Sequence, residues 1–335
     1  MSFEDIHYTW MNGEFLPWAE STIPLSTHAL HYGTGVFEGI RSYAVDGEPA
    51  IFRLDAHLDR FYKSAELYGI KIPYTRAQLT DATCELIRRN RLTDSYIRPL
   101  AYMGGETLGI RAQCSTDTAI LAWPQMVHVS EQSRYRGARL TISPYRKFHS
   151  SMIPTIAKAC GQYLNSRLAV MEASRRGYDD ALLLNMEGNV AEAAVANIFV
   201  VKGRTLRTND QDSSILMGIT RDSILQLAGA EGFGTEIGTI TVDDLLNADE
   251  AFLCGTACEV LPVAEVDGDR IGRAAPGPVT TRVRDAYDRA KTGKSPEWRH
   301  WLHRVRNTGS LHSADSSAVA NEPAAVGMTT RLRSH

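Results

Sequence analysis

The chain has 335 residues, of which 43% are apolar and 22% charged, and its net charge is −3. Its length exceeds the size at which one hydrophobic core usually stops growing, so the sequence predicts two domains. The nearly balanced charge argues against nucleic-acid and membrane-surface partners. The N-terminus lacks a secretory signal, and no apolar run approaches the roughly 20 residues of a membrane helix. Together these features indicate a cytoplasmic protein.

The first 124 residues predict a small α+β domain. An apolar strand near residue 51 leads into a helix with Leu58, Phe61 and Ala65 on one face, and a second helix follows a Thr75 cap. Apolar runs at 96–105 and 118–124 predict strands. The polar segment 125–136 follows a proline and precedes a glycine, and it predicts an interdomain linker.

Residues 137–306 predict a larger domain of strands and helices. A strand from about residue 138 is followed by the segment around Lys158 and by a helix that starts near residue 162. Residues 179–208 predict three strands joined by turns at 187–189 and 202–203, and Gly218 precedes a further helix. Residues 307–335 are small and polar without periodicity, so they predict a disordered tail.

Lys158 lies in an apolar stretch, IPTIAKACGQY, at residues 153–163, and it is one of only seven lysines in the chain. Burial of an unpaired ammonium is costly, so a buried lysine tends to lose its proton and becomes a nucleophile for a carbonyl group. The other six lysines lie on an amphipathic helix, in an alternating run, or beside turn residues. This segment alone leaves open a lysine that extends to the surface from a strand or loop.

Three further features indicate a ligand. The start of the helix after Gly218, with the hydroxyl of Thr220, is a candidate phosphate site, although Gly-Ile-Thr is also an ordinary way to begin a helix. The Gly255-Thr256 turn is a second candidate anion site or a simple chain reversal. Glu192 lies in a small, apolar run, where it either pairs with a protonated ring nitrogen or faces water from an edge strand.

Together a lysine for an aldehyde, an acid for a pyridine nitrogen and a helix start for a phosphate predict a pyridoxal phosphate site. A metal is not expected, because Cys254 and Cys258, four residues apart, have no second pair of ligands at suitable spacing. An odd number of cysteines also argues against a disulfide framework.

A series of longer motifs occurs in order along the chain: HYGTGVFEGIRSY, HLDRFYKSA, YIRPL, IPTIAKACGQY, GITRDSI, and GTACEVLPV followed by GPVT. With these motifs the chain resembles the class IV aminotransferases, which are pyridoxal phosphate enzymes of fold type IV. It most closely resembles the branched-chain amino acid aminotransferases, and the similarity runs from about residue 6 to residue 306.

The resemblance implies an α+β fold with the cofactor between a small N-terminal and a larger C-terminal domain, in a homodimer or larger assembly. It implies that Lys158 binds the cofactor aldehyde and moves the substrate proton, that Glu192 keeps the pyridine nitrogen protonated, and that Tyr163 binds O3′. The other implied cofactor-binding residues are Arg60, Leu216, Gly218, Ile219, Thr220 and Thr256. The implied substrate-binding residues are Tyr32, Phe37, Tyr96, Arg98, His128, Thr256 and Ala257. The implied substrates are a branched-chain or related hydrophobic L-amino acid and 2-oxoglutarate.

Several positions depart from the family pattern. They are Ser150-Ser151-Met152 ahead of the lysine motif, Gln162 after the lysine, Ala193–Ala196 after Glu192, and His128 in place of a pocket tyrosine. These changes favour an enzyme adapted to another amino acid. They leave open an unusual substrate or lyase-type chemistry in specialised metabolism, and a catalytically silent binding protein.

Overall fold

Two β-sheets organise the computed structural model, which describes residues 6–124 and 136–306. Within these residues the first sheet has eight strands: β1 Tyr8–Met11, β2 Glu14–Pro17, β3 Gly35–Phe37, β4 Ile40–Val45, β5 Glu48–Phe52, β6 Ser95–Met103, β7 Thr116–Pro124 and β17 Leu302–Arg304. Their order is β17-β5-β4-β6-β7-β1-β2, and β3 pairs with β6. All of these pairings are antiparallel.

The second sheet is mixed and has nine strands within the described residues. They are β8 Ala138–Ile142, β9 Asp180–Leu184, β10 Val190–Ala193, β11 Asn197–Lys202, β12 Thr205–Thr208, β13 Gly234–Ile237, β14 Glu250–Gly255, β15 Glu259–Val266 and β16 Asp269–Arg270. Their order is β10-β9-β8-β15-β14-β11-β12-β13, and β16 pairs with β15. Strand β8 runs parallel to both β9 and β15.

The α-helices in the described residues are α1 His28–Tyr32, α2 Leu54–Leu67, α3 Arg76–Arg89, α4 Tyr163–Arg175, α5 Ile219–Ala230, α6 Val242–Leu246 and α7 Pro278–Lys291. Short 3-10 helices span Trp18–Glu20, Cys160–Gln162, Gln211–Ser213 and Pro296–Trp301. In the part of the chain that the structure covers, no helix is long and apolar enough to cross a membrane.

The helices α2 and α3 follow the periodicity and capping seen in the sequence. Leu58, Phe61 and Ala65 are buried on one face of α2, and they pack in a cluster with residues of the first sheet. Thr75 caps α3 through a reciprocal capping box with Gln78, in which each side chain accepts from the other residue's backbone. The predictions for these two helices are confirmed.

The core also joins the two sheets. Tyr43 and Phe52 from the first sheet share a buried cluster with Phe199 and Phe252 from the second. Full burial of one such aromatic side chain contributes about 1.5–3 kcal/mol. Because this cluster holds the sheets together, it also fixes the distance between the residues that each sheet contributes to the space between them.

Two features differ from the sequence prediction. The run at 190–202 is two strands, because Ala193 N–H donates to the Ala196 carbonyl and closes a tight turn between β10 and β11. Strand β17 lies in the segment predicted as the larger domain, yet it pairs with β5 of the first sheet. The division into two domains stays a prediction. The predicted linker, apart from residue 136, and the tail at 307–335 lie outside the described residues.

Candidate active site

A cavity of about 290 Å³ lies between the two sheets. Among the described residues, its lining contains every predicted site residue except Tyr32: Phe37, Arg60, Tyr96, Arg98, Lys158, Tyr163, Glu192, Leu216, Gly218, Ile219, Thr220, Thr256 and Ala257. They come from β3, α2, β6, the segment around Lys158, the start of α4, β10, the start of α5 with the residues just before it, and the β14–β15 turn. Residues that are far apart in the sequence therefore meet at one site.

Two hydrogen bonds fix the backbone of Lys158. Its N–H donates to Ser64 Oγ at 3.0 Å, and its carbonyl accepts from Phe37 N–H at 3.0 Å. The side chain extends into the cavity and not to the outer surface, and Nζ donates to Tyr163 Oη at 2.7 Å. Burial, reinforced by the Arg60 guanidinium, lowers the pKa of Lys158 to about 8, although Glu38 opposes this shift.

Tyr163 is the first residue of α4, directly after the 3-10 turn at Cys160–Gln162. Its ring centroid lies 4.7 Å from that of Phe37. Burial, with a further effect from the nearby Glu192 carboxylate, raises the pKa of Tyr163 to about 12. The phenol is therefore protonated at neutral pH and can both donate and accept a hydrogen bond.

Glu192 is buried, although it lies on β10 at the edge of the second sheet, so the interpretation as a water-facing edge residue is wrong. Its Oε1 lies 2.5 Å from Lys147 Nζ. Its Oε2 accepts from Asn197 Nδ2 at 3.1 Å and from Leu216 N–H at 3.2 Å. Together these contacts fix the orientation of the carboxylate.

Lys147 is a further cavity residue, which the sequence interpretation did not single out. Lys147 is 9% exposed, lines the cavity and pairs with Glu192. Its position depends on the register between β8 and β9, and its own N–H donates to the Leu184 carbonyl at 2.9 Å. No local pattern around residue 147 could have identified it.

Arg60 is oriented by Glu38, which the sequence interpretation missed. The guanidinium binds Glu38 through Nε at 2.7 Å and through a second nitrogen at 2.9 Å, and His57 Nδ1 lies 2.7 Å from the same carboxylate. Glu38 is fully buried. Burial raises its pKa, but Arg60 and His57 outweigh this effect and hold the pKa of Glu38 well below its usual range. The motif VFEGIR contained this glutamate, but only the pairing of β3 with β6 shows that it is buried.

The N-terminus of α5 faces the cavity next to Arg60. Gly218 is the N-cap and, as a glycine, offers no capping side chain, so the first N–H groups of the helix have no intrahelical acceptor. Thr220 follows in the first turn, and Arg60 donates to the Met217 carbonyl at 3.1 Å. A guanidinium beside a helix start is well suited to bind a phosphate.

Aromatic rings surround Arg98 on another wall of the cavity. The guanidinium carbon lies 4.6 Å from the ring centroid of Phe37 and 5.4 Å from that of Tyr96. Tyr96 in turn stacks on Trp123 at 5.0 Å. Arg98 Nε is buried without a hydrogen-bond acceptor among the residues that the structure describes. This wall therefore offers both an apolar surface and a partly buried cation.

One predicted substrate-binding residue of the described ranges is not in this cavity. Tyr32, in α1, is 42% exposed and packs against His28 with ring centroids 4.5 Å apart, so the same chain does not place it in the pocket. His128 lies outside the described residues. Within the described ranges, no group of three or more His, Cys, Asp or Glu residues could hold a metal ion.

The residues that depart from the family pattern lie in different places relative to the cavity. Gln162 is buried, and its amide donates to the Pro154 carbonyl at 2.8 Å and to Tyr68 Oη at 3.1 Å, so it supports the Lys158 segment. Val195 lines the cavity but is 59% exposed. Residues 150–152 are absent from the cavity lining.

Comparison with known proteins agrees with this geometry. The family model for amino-transferase class IV matches residues 35–266. The branched-chain-amino-acid aminotransferase of Pseudomonas aeruginosa is 41% identical over 298 residues, covering 89% of this chain and 97% of that protein. The enzyme of the same name from Escherichia coli K12 is 38% identical over 307 residues, covering 91% and 99%.

Solved structures give the same result. The T.th. branched-chain amino acid aminotransferase with pyridoxamine 5'-phosphate has a TM-score of 0.87 and 42% identity, over 90% of this chain and 99% of that one. Its complex with N-(5'-phosphopyridoxyl)-L-glutamate has a TM-score of 0.85 over the same shares. The E. coli enzyme has a TM-score of 0.88 and 38% identity, over 90% and 100%. The predicted α+β fold is thereby confirmed, and the chain belongs to the class IV aminotransferases.

Proposed function

We propose that the protein uses pyridoxal 5'-phosphate to transfer an amino group between a branched-chain or related hydrophobic L-amino acid and 2-oxoglutarate. The relatives described above are named branched-chain-amino-acid aminotransferases, and one related structure is a complex with N-(5'-phosphopyridoxyl)-L-glutamate. When bound, the cofactor supplies an aldehyde for the amino group and a ring that accepts electrons from the substrate Cα.

The observation that carries the proposal is the contrast between two lysines in one cavity. Lys147 Nζ forms an ion pair with the Glu192 carboxylate at 2.5 Å, so its amine is already engaged. Lys158 contacts a neutral phenol, and burial lowers its pKa to about 8. Only a neutral amine can attack an aldehyde, so Lys158 is the residue suited to hold the cofactor.

The remaining donors fit the rest of the cofactor. Arg60, the first turn of α5 and Thr256 would hold the phosphate, because they combine a cation with free N–H and hydroxyl groups. Glu192 would bind the pyridine nitrogen, since its carboxylate is held in place by Lys147, Asn197 and the Leu216 N–H. Tyr163 would bind the ring oxygen next to the aldehyde.

The amine of Lys158 then has a second task. It would also serve as the base for the substrate, because a neutral amine on the cavity wall can take up the proton at the substrate Cα and give it back. The Tyr163 hydroxyl at 2.7 Å from Nζ keeps the amine directed at this position.

The wall around Arg98 explains how one pocket would accept two kinds of side chain. An aliphatic side chain can pack on the rings of Phe37 and Tyr96, whereas the side-chain carboxylate of glutamate can bind the guanidinium. The cation–π contacts compensate Arg98 when no carboxylate is present. Tyr96 and the Thr256-Ala257 turn would bind the α-carboxylate.

Half-reactions test the proposal. L-leucine added to the yellow holoenzyme should convert its absorbance to that of the pyridoxamine form, and 2-oxoglutarate should restore it with release of glutamate. L-serine is the control for lyase-type chemistry. Pyruvate formed from serine without 2-oxoglutarate, and no response to leucine, would contradict the proposal.

Borohydride reduction followed by peptide mapping tests the choice of lysine. Because both cavity lysines are within reach of a cofactor, the map must separate them. The phosphopyridoxyl label is expected on the peptide that contains Lys158, and Lys158→Ala should remain unlabelled. A label on Lys147 would show that the roles are reversed.

We propose that the functional unit is at least a homodimer. Tyr32 is absent from the cavity of its own chain, and the apolar residues Leu25, Leu30 and Ile110 are 88%, 59% and 77% exposed. Large exposed apolar side chains mark protein–protein contact sites. A second copy would cover them, and Tyr32 would then contact the partner's pocket. Light scattering should report a dimer or larger for the wild type and a smaller species for Leu30→Arg.

Lyase-type chemistry and a silent binding protein are not favoured, because all the named relatives are aminotransferases and the cavity keeps Lys158 and Glu192 together. We place the reaction in the cytoplasm, in line with an odd cysteine count that does not indicate a disulfide framework.

A further inference from the structure

Helix α2 holds the segment that carries Lys158. The Lys158 N–H donates to Ser64 Oγ at 3.0 Å, and Gln162, at the end of the same segment, donates through Nε2 to Tyr68 Oη at 3.1 Å. Ser64 lies in α2, and Tyr68 is its C-cap. We call Ser64, Tyr68 and Gln162 the lysine clamp. Ser64 is 1% exposed and Gln162 8%, so water competes little for these hydrogen bonds.

Gln162 also closes the segment on itself. Its Nε2 donates to the Pro154 carbonyl at 2.8 Å, and that carbonyl accepts a second hydrogen bond from Ala157 N–H at 3.0 Å. The two ends of the segment, eight residues apart in sequence, are thereby joined, with Lys158 between them. On the other side, the Lys158 carbonyl accepts from Phe37 N–H in β3 at 3.0 Å. The lysine backbone is therefore held between a helix and a strand.

The same helix carries Arg60, to which the proposed function assigns the phosphate, one turn before Ser64. Residues four apart lie on the same side of a helix, at a separation of about 6 Å along its axis. Arg60 is fixed in turn by two hydrogen bonds to the buried Glu38, at 2.7 and 2.9 Å. One rigid element therefore connects the group that would bind the cofactor phosphate with the backbone of the residue that would bind its aldehyde.

We propose that the lysine clamp is a set of positioning residues, which fixes the distance between the Lys158 amine and the aldehyde of a cofactor whose phosphate is bound at Arg60. This inference rests on the proposed function. Lysine has a long and flexible side chain, so its backbone must be held if the amine is to be aimed. A misplacement of 1 Å between reacting groups can slow a reaction about a hundredfold, because the two atoms must meet at the right distance and angle.

Comparison of two ligands separates this role from general support of the cavity. Capture of pyridoxal 5'-phosphate joins the Lys158 nitrogen to the aldehyde carbon and releases one water. Pyridoxamine 5'-phosphate has the same ring and phosphate but no aldehyde, so it binds without this reaction. In full-length, cofactor-free Ser64→Ala, we expect the rate of covalent capture, measured by stopped-flow absorbance, to fall about tenfold. The Kd for pyridoxamine 5'-phosphate should stay that of the wild type.

Ser42→Ala is the matched control, because Ser42 is also buried, does not line the cavity, and has a hydroxyl that donates to the Thr93 carbonyl at 2.7 Å. The capture rate and the Kd should both remain those of the wild type. Tyr68→Phe provides the test if Ser64→Ala does not fold. It removes only the acceptor of Gln162 Nε2, so capture should slow about three- to tenfold, the value of one hydrogen bond.

The outcomes distinguish the inference from the function on which it rests. Slower capture with an unchanged Kd for pyridoxamine 5'-phosphate, in Ser64→Ala or Tyr68→Phe but not in Ser42→Ala, supports the lysine clamp. Equal losses for both ligands, the same slowing in Ser42→Ala, or no change in either clamp variant overturns it and leaves the proposed function intact. A wild-type protein that binds pyridoxamine 5'-phosphate but does not capture pyridoxal 5'-phosphate covalently would instead refute the proposed role of Lys158.

Discussion

Replacement of Glu38 by glutamine should destabilise the protein far more than the same change at the surface. Glu38→Gln keeps the shape of the side chain but removes its charge and one acceptor. Arg60 then loses one of two short hydrogen bonds, at 2.7 and 2.9 Å, and the new amide group faces donors of Arg60 or His57. Arg60 is left as an uncompensated cation in a cavity wall.

The magnitude follows from burial. Removal of one partner from a buried ion pair costs about 3–5 kcal/mol. The Arg60 side chain is 13% exposed, so water can reach part of it, and we expect the lower end, about 3 kcal/mol. This loss is a large part of the total free energy of unfolding, which is about 5–15 kcal/mol for most proteins. Urea titration of the cofactor-free wild type and variant, followed by tryptophan fluorescence, measures this difference in the free energy of unfolding.

Glu85→Gln is the control, because Glu85 also binds two arginines, Arg88 at 3.0 Å and Arg89 at 2.8 Å, but on the surface of α3. Such exposed pairs contribute about 0–1 kcal/mol. A Glu38→Gln variant that loses no more stability than Glu85→Gln would refute the reasoning. The depressed pKa of Glu38 means that its contribution is complete above its unfolded pKa, near about 4.3, and is lost only at more acidic pH. The difference between wild type and variant should therefore be constant from about pH 6 to 8.

Three further predictions concern catalysis. The rate at which the cofactor-free protein captures pyridoxal 5'-phosphate should increase with pH and level off above about pH 8, because the pKa of Lys158 is about 8. Stopped-flow absorbance measures this rate. A rate that still increases toward pH 10, as for N-acetyl-lysine, would contradict the prediction. Glu192→Gln should bind the cofactor yet lower kcat about a hundredfold, because a neutral amide no longer stabilises a protonated ring nitrogen; an unchanged kcat would exclude that role. Arg98→Leu should raise the KM for 2-oxoglutarate about ten- to a hundredfold and leave the KM for leucine nearly constant, whereas equal effects on both would indicate general damage to the pocket.

The sequence predicted those parts of the site that depend on local pattern. The helix start at Gly218, the capped helix after Thr75 and the unusual lysine in an apolar stretch are all visible within a dozen residues. Their convergence on one cavity could be expected only from the resemblance to a family. The break between β10 and β11 was missed because small, apolar residues at 193–196 fit a strand as well as a turn.

Residues that act through other residues could not be predicted. Glu38 and Lys147 each pair with a site residue that is distant in sequence, and the pairing depends on how separate elements pack together. Tyr32 is the opposite case. Its place in a motif implied that it lines the pocket, but it does not line the cavity of its own chain. Charged partners of known site residues are therefore the features that a structure adds to a sequence.

The return of the last described strand to the first sheet has a consequence for synthesis of the protein. Strand β5 has its outer edge covered by β17, about 250 residues later in the chain. During translation this edge stays open until nearly the whole chain has left the ribosome, and an open strand edge invites pairing with other chains. Nascent chains that stop before residue 302 should accordingly be prone to aggregate or to require a chaperone, even though every residue of the cavity has already been made.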